Sequence, residues 1–128
     1  MDRKGRGKGF GTVAALGFMA LIAGGCGGGD STAPSAERIA AGRELYLTTC
    51  AICHGPDAKG IAMLGKDLRA NEFVRSLSDA ELVAFLAEGR RASHPLNDRG
   101  VDMPPRGGNP SLSDEDLGLI AAYIRSIE

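Results

Sequence analysis

Two thiols separated by two residues and followed at once by an imidazole, in Cys50-Ala51-Ile52-Cys53-His54, have the spacing of a covalent haem attachment site. On one turn of helix the two sulfurs can form thioethers with neighbouring vinyl groups of a porphyrin. The next residue then carries His54 beneath the ring, where its Nε2 would meet the iron. Two other chemistries use a similar pair. A redox dithiol of the thioredoxin type sits in a strand–helix–strand context, and no alternating strand pattern follows His54. A structural zinc site needs about four ligands. Here His94 is the only further imidazole, and the third cysteine, Cys26, falls in an N-terminal export segment. The histidine directly after Cys53 is the residue that selects one covalently attached haem c over these alternatives.

The segment before the motif reads as targeting and tether. Arg3, Lys4, Arg6 and Lys8 precede an uncharged, mostly apolar run of 14 residues from Phe10 to Ala23. This is the pattern of an export signal, and it is shorter than the roughly 20 residues needed to span a bilayer. Ala23-Gly24-Gly25-Cys26 is similar to the lipobox of bacterial lipoproteins, with Ala23 where leucine is usual; residues 1–26 are expected to be a signal peptide with Cys26 the acylated residue, the alternative being ordinary signal cleavage that discards Cys26 or leaves it a free thiol. Residues 27–35, opening Gly27-Gly28-Gly29-Asp30, contain no large apolar side chain and read as a flexible linker. Residues 1–26 carry four of the 15 basic and one of the 16 acidic side chains, so the remaining 11 and 15 give a net charge of −4. That balance excludes nucleic acid as an expected partner.

Residues 36–128 form the expected domain, and its elements must position the motif. Ser35 can cap a helix whose apolar positions Ile39, Ala40, Leu45 and Tyr46 fall broadly on one face, leading directly into Cys50. A glycine within a helix costs about 1 kcal/mol relative to alanine, so Gly42 marks either a weak helix or a close crossing by another backbone. The C-terminal stretch supports a crossing. Ser113 and Asp116 make a capping-box start, and Leu117, Ile120, Ala121, Ile124 and Ile127 recur at intervals of three and four, with Tyr123 beside the stripe. Between these ends, Ser78 and Glu81 make a second capping box, Leu82, Phe85 and Leu86 give an apolar face, and Gly89 closes that helix. Residues 55–77 and 89–112, rich in Gly, Pro, Asn and Asp, are expected to be long loops with a short helical turn near Phe73. Loops of that length in a small domain usually serve a function, and wrapping a cofactor would supply the missing core.

With these parts in place, residues 36–128 resemble the class I monohaem cytochromes c. In that family an N-terminal helix with a glycine and an aromatic, here Gly42 and Tyr46, crosses a C-terminal helix bearing an aromatic, here Tyr123. The attachment motif follows the first helix, and a methionine before proline, as in Val101-Asp102-Met103-Pro104-Pro105, precedes the last. The resemblance implies an all-α fold wrapped around one covalent haem, with Cys50 and Cys53 attaching it and His54 and Met103 as iron ligands. Pro104 presses Met103 into extended backbone and stiffens its loop, support that Met63 lacks; methionine is also a routine filler of core gaps, which suits Met63 and Met19, and His94, a third candidate ligand, stands before Pro95 and reads more simply as an exposed loop residue. The family's Gly-Pro-x-Leu segment, whose proline carbonyl accepts from the proximal imidazole, reads Gly65-Lys66-Asp67-Leu68 here. The chain has no Trp, a usual partner of a haem propionate. Arg69, Asn71 and Arg106 are candidates for that role by composition.

The function this implies is electron transfer, with the haem cycling between Fe(II) and Fe(III) and passing single electrons between redox proteins in the periplasm or at the outer side of the cytoplasmic membrane. The chain would be a monomer or a subunit of a respiratory complex, held to the membrane by its lipid and without catalysis of its own. A peroxidase or ligand sensor would require an open iron. Dihaem peroxidases carry two attachment motifs where this chain has one, and no pair of residues presents itself as distal acid and base. The Cys26 expectation is directly testable. Replacing Cys26 by Ser should move the processed protein from the membrane to the soluble fraction, whereas a wild-type protein that is soluble and begins at another residue would show that Cys26 is not the anchor.

Overall fold

The computed structural model describes residues 34–128. The expectations for the export segment, for Cys26 and for most of the 27–35 linker lie outside the described residues. Among those described there are five α-helices and no strand: α1 (Ala36–Thr49), α2 (Ala51–His54), α3 (Glu72–Ser76), α4 (Asp79–Glu88) and α5 (Asp114–Ser126). The chain has the all-α architecture expected of a small cytochrome c-like domain, and the short turn foreseen near Phe73 is α3.

Local chemistry accounts for where the helices start. Ser113 Oγ accepts from the Asp116 amide at 3.1 Å while Asp116 returns a carboxylate to the Ser113 amide at 2.8 Å. Ser78 and Glu81 make the same reciprocal pair at the head of α4, with distances of 3.3 and 2.8 Å. These bonds from serine amides hold the Asp116 and Glu81 carboxyls below the usual carboxylate range. Asn71 caps α3 through its side-chain oxygen, and Ser35 caps α1.

Helices α1 and α5 cross where Gly42 faces Leu119. A Cβ built on Gly42 would lie 1.9 Å from the Leu119 carbonyl oxygen, so only a glycine lets the backbones meet at this distance. One turn further on, the rings of Tyr46 and Tyr123 meet with centroids 5.1 Å apart and tilted by 54°. Tyr46, Ala58 and Tyr123 form one buried cluster. Val74, Leu82, Leu86, Leu112, Leu117, Ile120, Ala121 and Ile124 form the other, in which α4 and α5 pack together. The buried face of α1 differs from the expected one: it comprises Gly42, Tyr46 and Thr49, while Ala40 is exposed and Ile39 and Leu45 are half-buried. The glycine contact sets the helix's rotation more strongly than its weak apolar stripe does. Arg125, near the end of α5, then locks the domain's far side. It donates to the Val74 carbonyl at 2.9 Å and to the Leu77 carbonyl, and pairs with Asp79 at 3.0 Å.

The two loops are held by a few backbone pairs rather than by a sheet. Ile61 pairs with Gly65, and Arg90 with Met103. The turn Pro105–Gly108 places both Arg106 (φ 54°) and Gly107 (φ 63°) in left-handed backbone before α5 begins.

The crossing generates a paired prediction. Gly42→Ala should destabilise the protein by about 1–3 kcal/mol through overpacking, despite the gain of about 1 kcal/mol in helix propensity. Gly118→Ala, on α5 with open space at its Cβ, should instead stabilise by about 0.5–1 kcal/mol. Denaturant midpoints check both; equal stabilisation of the two variants would contradict the crossing.

Candidate functional site

α1 delivers its last residue, Thr49, to Cys50, and the helical turn α2 carries Cys53 and His54. The end of this turn is fixed from below by Tyr46, whose buried hydroxyl donates to the Gly55 carbonyl at 2.7 Å. Burial raises the Tyr46 phenol well above its ordinary pKa, so it stays a protonated donor. Gly65 packs against the peptide between Cys53 and His54, where an added Cβ would come within 2.2 Å of the Cys53 carbonyl oxygen. The next residue, Lys66, offers its carbonyl to His54 Nδ1 at 2.8 Å. A carbonyl can only accept, so Nδ1 carries a proton, which in the neutral ring leaves the lone pair for a metal on Nε2. The bond survives the absence of proline because it uses the backbone of Lys66. The side chain of Lys66 turns away to pair with Asp98 at 2.9 Å, joining the segment beside His54 to the loop that carries Met103.

Cys50, Cys53, His54 and Met103 all line one cleft, whose apolar wall includes Leu68, Val74, Leu82, Leu86, Leu117 and Ile120. The structure thus brings together the four residues singled out in the described part of the chain. Burial, with a smaller contribution from Cys53, pushes the Cys50 thiol up to about 11. Both of these cysteines are half-buried, and they form no disulfide. Among the described residues no cluster of three or more His, Cys, Asp and Glu side chains is placed to hold a metal ion. Two cysteine sulfurs, an imidazole held through its Nδ1 and a thioether, set in a cleft with an apolar wall, suit a flat hydrophobic group carrying an iron.

The other methionine is placed elsewhere. Met63 is 75% exposed, with φ 64°, and does not line the cleft. The core-filler reading of Met63 is therefore corrected: a tight turn between Ile61 and Gly65 points it to solvent. His94 is an exposed loop residue whose Nδ1 accepts from the Leu96 amide at 3.1 Å. Of the three composition-based polar candidates, Asn71 and Arg106 line the cleft and Arg69 does not. Asn71 is engaged in capping α3. Arg106 is held by the Leu112 carbonyl at 2.8 Å and Asp114 at 2.6 Å. Arg69 turns to Asp67, and its Nε is buried without a partner. Sequence reasoning missed the part played by Arg90, which lines the cleft and stacks over Phe73 and Phe85. Its only sequence signal was its place in an arginine-rich loop.

The Tyr46 hydroxyl yields a prediction. Tyr46→Phe removes one of two donors to the Gly55 carbonyl, the other being the Ala58 amide at 3.1 Å, and should cost about 1 kcal/mol of stability. An unchanged denaturation midpoint would show that this bond does not hold the turn.

Comparison with known proteins is consistent with this geometry. Residues 37–124 match the family described as cytochrome c oxidase, cbb3-type, subunit III. The chain is 29% identical over 91 residues to the cbb3-type cytochrome c oxidase subunit CcoP of Rhodobacter capsulatus, covering 70% of this chain and 29% of that one. To the subunit FixP of Sinorhizobium medicae (strain WSM419) it is 29% identical over 89 residues, covering 70% and 30%. It is also 31% identical over 86 residues to cytochrome c-555 of Chlorobaculum thiosulfatiphilum, covering 66% of this chain and 91% of that one. The chain therefore spans about three-tenths of the length of the oxidase subunits it matches. No solved structure matches it.

Proposed function

Because the chain belongs to the c-type cytochrome family of the cbb3-type oxidase subunit III, a family with covalently bound haem c, we propose that it is an exported, lipid-anchored electron carrier. In this reading Cys50 and Cys53 attach the haem, and His54 and Met103 ligate its iron. When bound, the haem supplies a one-electron couple whose potential is raised by methionine ligation. The observation that carries the reading is the convergence of Cys50, Cys53, His54 and Met103 on one apolar cleft.

The protein's own residues bind, orient and exclude water. The Lys66 carbonyl keeps His54 in the tautomer that presents Nε2 and strengthens it as a ligand. The apolar wall lowers the local dielectric and limits solvent at the iron. A domain of this size has little room for a separate substrate pocket beside the haem, so the chain acts without substrate chemistry of its own. Electrons enter and leave where the cleft meets the surface, near Ile52, which is 70% exposed, and near Leu96, which is 61% exposed.

The names of the CcoP and FixP relatives favour a second reading, in which the domain works as a subunit of a larger oxidoreductase complex. Co-purification from gently solubilised membranes separates the two: a stoichiometric oxidase partner favours the subunit, and a haem protein recovered alone favours the carrier.

The ligand assignment is tested by mutation. Met103→Ala should lower the reduction potential by roughly a tenth of a volt or more, within the span of about 0.8 V that axial ligation sets, and should admit carbon monoxide to the reduced protein. Met63→Ala should do neither. Rapid carbon monoxide binding or efficient peroxide turnover by the wild type would mark an open iron and overturn the carrier reading.

A further inference from the structure

We propose that Arg90 is a positioning residue for Met103, its guanidinium acting as a clamp that holds the methionine loop against the cleft. The inference rests on Met103 being the second iron ligand. The backbone of Met103 pairs with Arg90, whose amide donates to the Met103 carbonyl while the Met103 amide donates back, both at 2.8 Å; beside this pair the Ala92 amide donates to Asp102 Oδ1 and Asn97 Nδ2 bridges the Arg91 and Val101 carbonyls, bonds that stay within the loop. Two backbone bonds without a neighbouring ladder compete with water at little net gain. The Met103 side chain packs against the larger hydrophobic cluster, and the Arg90 side chain adds a polar tie from the loop to α3 and α4. Its Cζ lies 4.3 Å from the ring centre of Phe73 on α3 and 4.8 Å from that of Phe85 on α4, and those two rings meet edge-on at 5.0 Å. Its Nη1 donates to the Leu96 carbonyl at 3.3 Å, reaching the middle of the loop that leads to Met103.

One side chain therefore ties α3, α4 and the methionine loop together. Among the described residues no carboxylate forms an ion pair with it, so the ring faces are what its charge meets. The role is specific to arginine. A planar guanidinium can lie over the rings and still donate along its edge, whereas a lysine ammonium is a hydrated point charge without a stacking face. Arg91, adjacent in sequence, is exposed and makes no ring contact or ion pair among the described residues, which makes it an internal control.

The test uses the haem-loaded protein and the variants Arg90→Ala, Arg90→Lys, Arg91→Ala, Phe73→Leu and Met103→Ala. Imidazole binding to the ferric form, the methionine-to-iron absorption band and hydrogen exchange at the Met103 amide are the readouts. Loss of the clamp should speed both imidazole binding and Met103 amide exchange by about tenfold, the equivalent of one cation–π contact of ordinary strength, and weaken the band. Phe73→Leu, which keeps the apolar volume, should move all three the same way by a smaller factor. Arg91→Ala should match the wild type, and Arg90→Lys should recover less than half of the loss. Wild-type behaviour of Arg90→Ala, full rescue by lysine, or an equal effect of Arg91→Ala would overturn the proposal. If Met103→Ala itself leaves imidazole binding unchanged, the ligand assignment has failed; amide exchange in the Arg90 variants then still decides whether the clamp exists.

Discussion

The contact on which the rest of the domain depends is the crossing of α1 and α5 at Gly42. With the Leu119 carbonyl 1.9 Å from where a Cβ would be, the two backbones meet at a distance that fixes both the position and the rotation of α1. That rotation buries Tyr46 and sends its hydroxyl to Gly55, immediately after the Cys50–His54 turn. The thiols and the imidazole are therefore placed by a helix whose own amphipathicity is weak. Its orientation comes from what it cannot fit against rather than from an apolar stripe.

The cleft is then completed by two loops that have almost no secondary structure. On one side, Gly65 approaches the Cys53–His54 peptide and Lys66 gives its carbonyl to the imidazole. On the other, Met103 pairs with Arg90 and packs against the larger hydrophobic cluster. The ion pair between Lys66 and Asp98 joins the two, but it is open to solvent, with a half-buried Lys66 and an exposed Asp98, and such pairs contribute little on their own. A domain built this way gains much of its core from the group it encloses, which is why so short a chain can do with two small hydrophobic clusters. Enclosure and function coincide, because the apolar shell that completes the core also keeps solvent from a one-electron centre.

Features governed by short-range chemistry could be read directly from the residues. The Cys-x-x-Cys-His spacing, both capping boxes, the Gly89 stop and the tight crossing at Gly42 each rest on neighbours within a few positions or on a steric property of one residue. The expectations that failed concern rotation and exposure. The apolar pattern of α1 puts Ala40 on the same face as Tyr46, but the Gly42 crossing turns it outward. A methionine such as Met63 suits a core gap, but the Ile61–Gly65 pairing turns it to solvent. What no pattern announced were contacts between distant segments: Arg125 reaching the carbonyls of Val74 and Leu77, and Arg90 lying over the paired rings of Phe73 and Phe85. Arginines look like surface charge in a sequence, and only the folded chain shows which of them reach inward.

The central claim is that one haem is bound covalently through Cys50 and Cys53. Mass spectrometry of the denatured, protease-digested protein after acid–organic extraction tests it most directly. The account predicts that the haem stays in the protein fraction, on the single peptide containing Cys50 to His54, with neither cysteine open to alkylation. Haem released into the organic phase, or a Cys50–His54 peptide of unmodified mass with two alkylatable thiols, would contradict it.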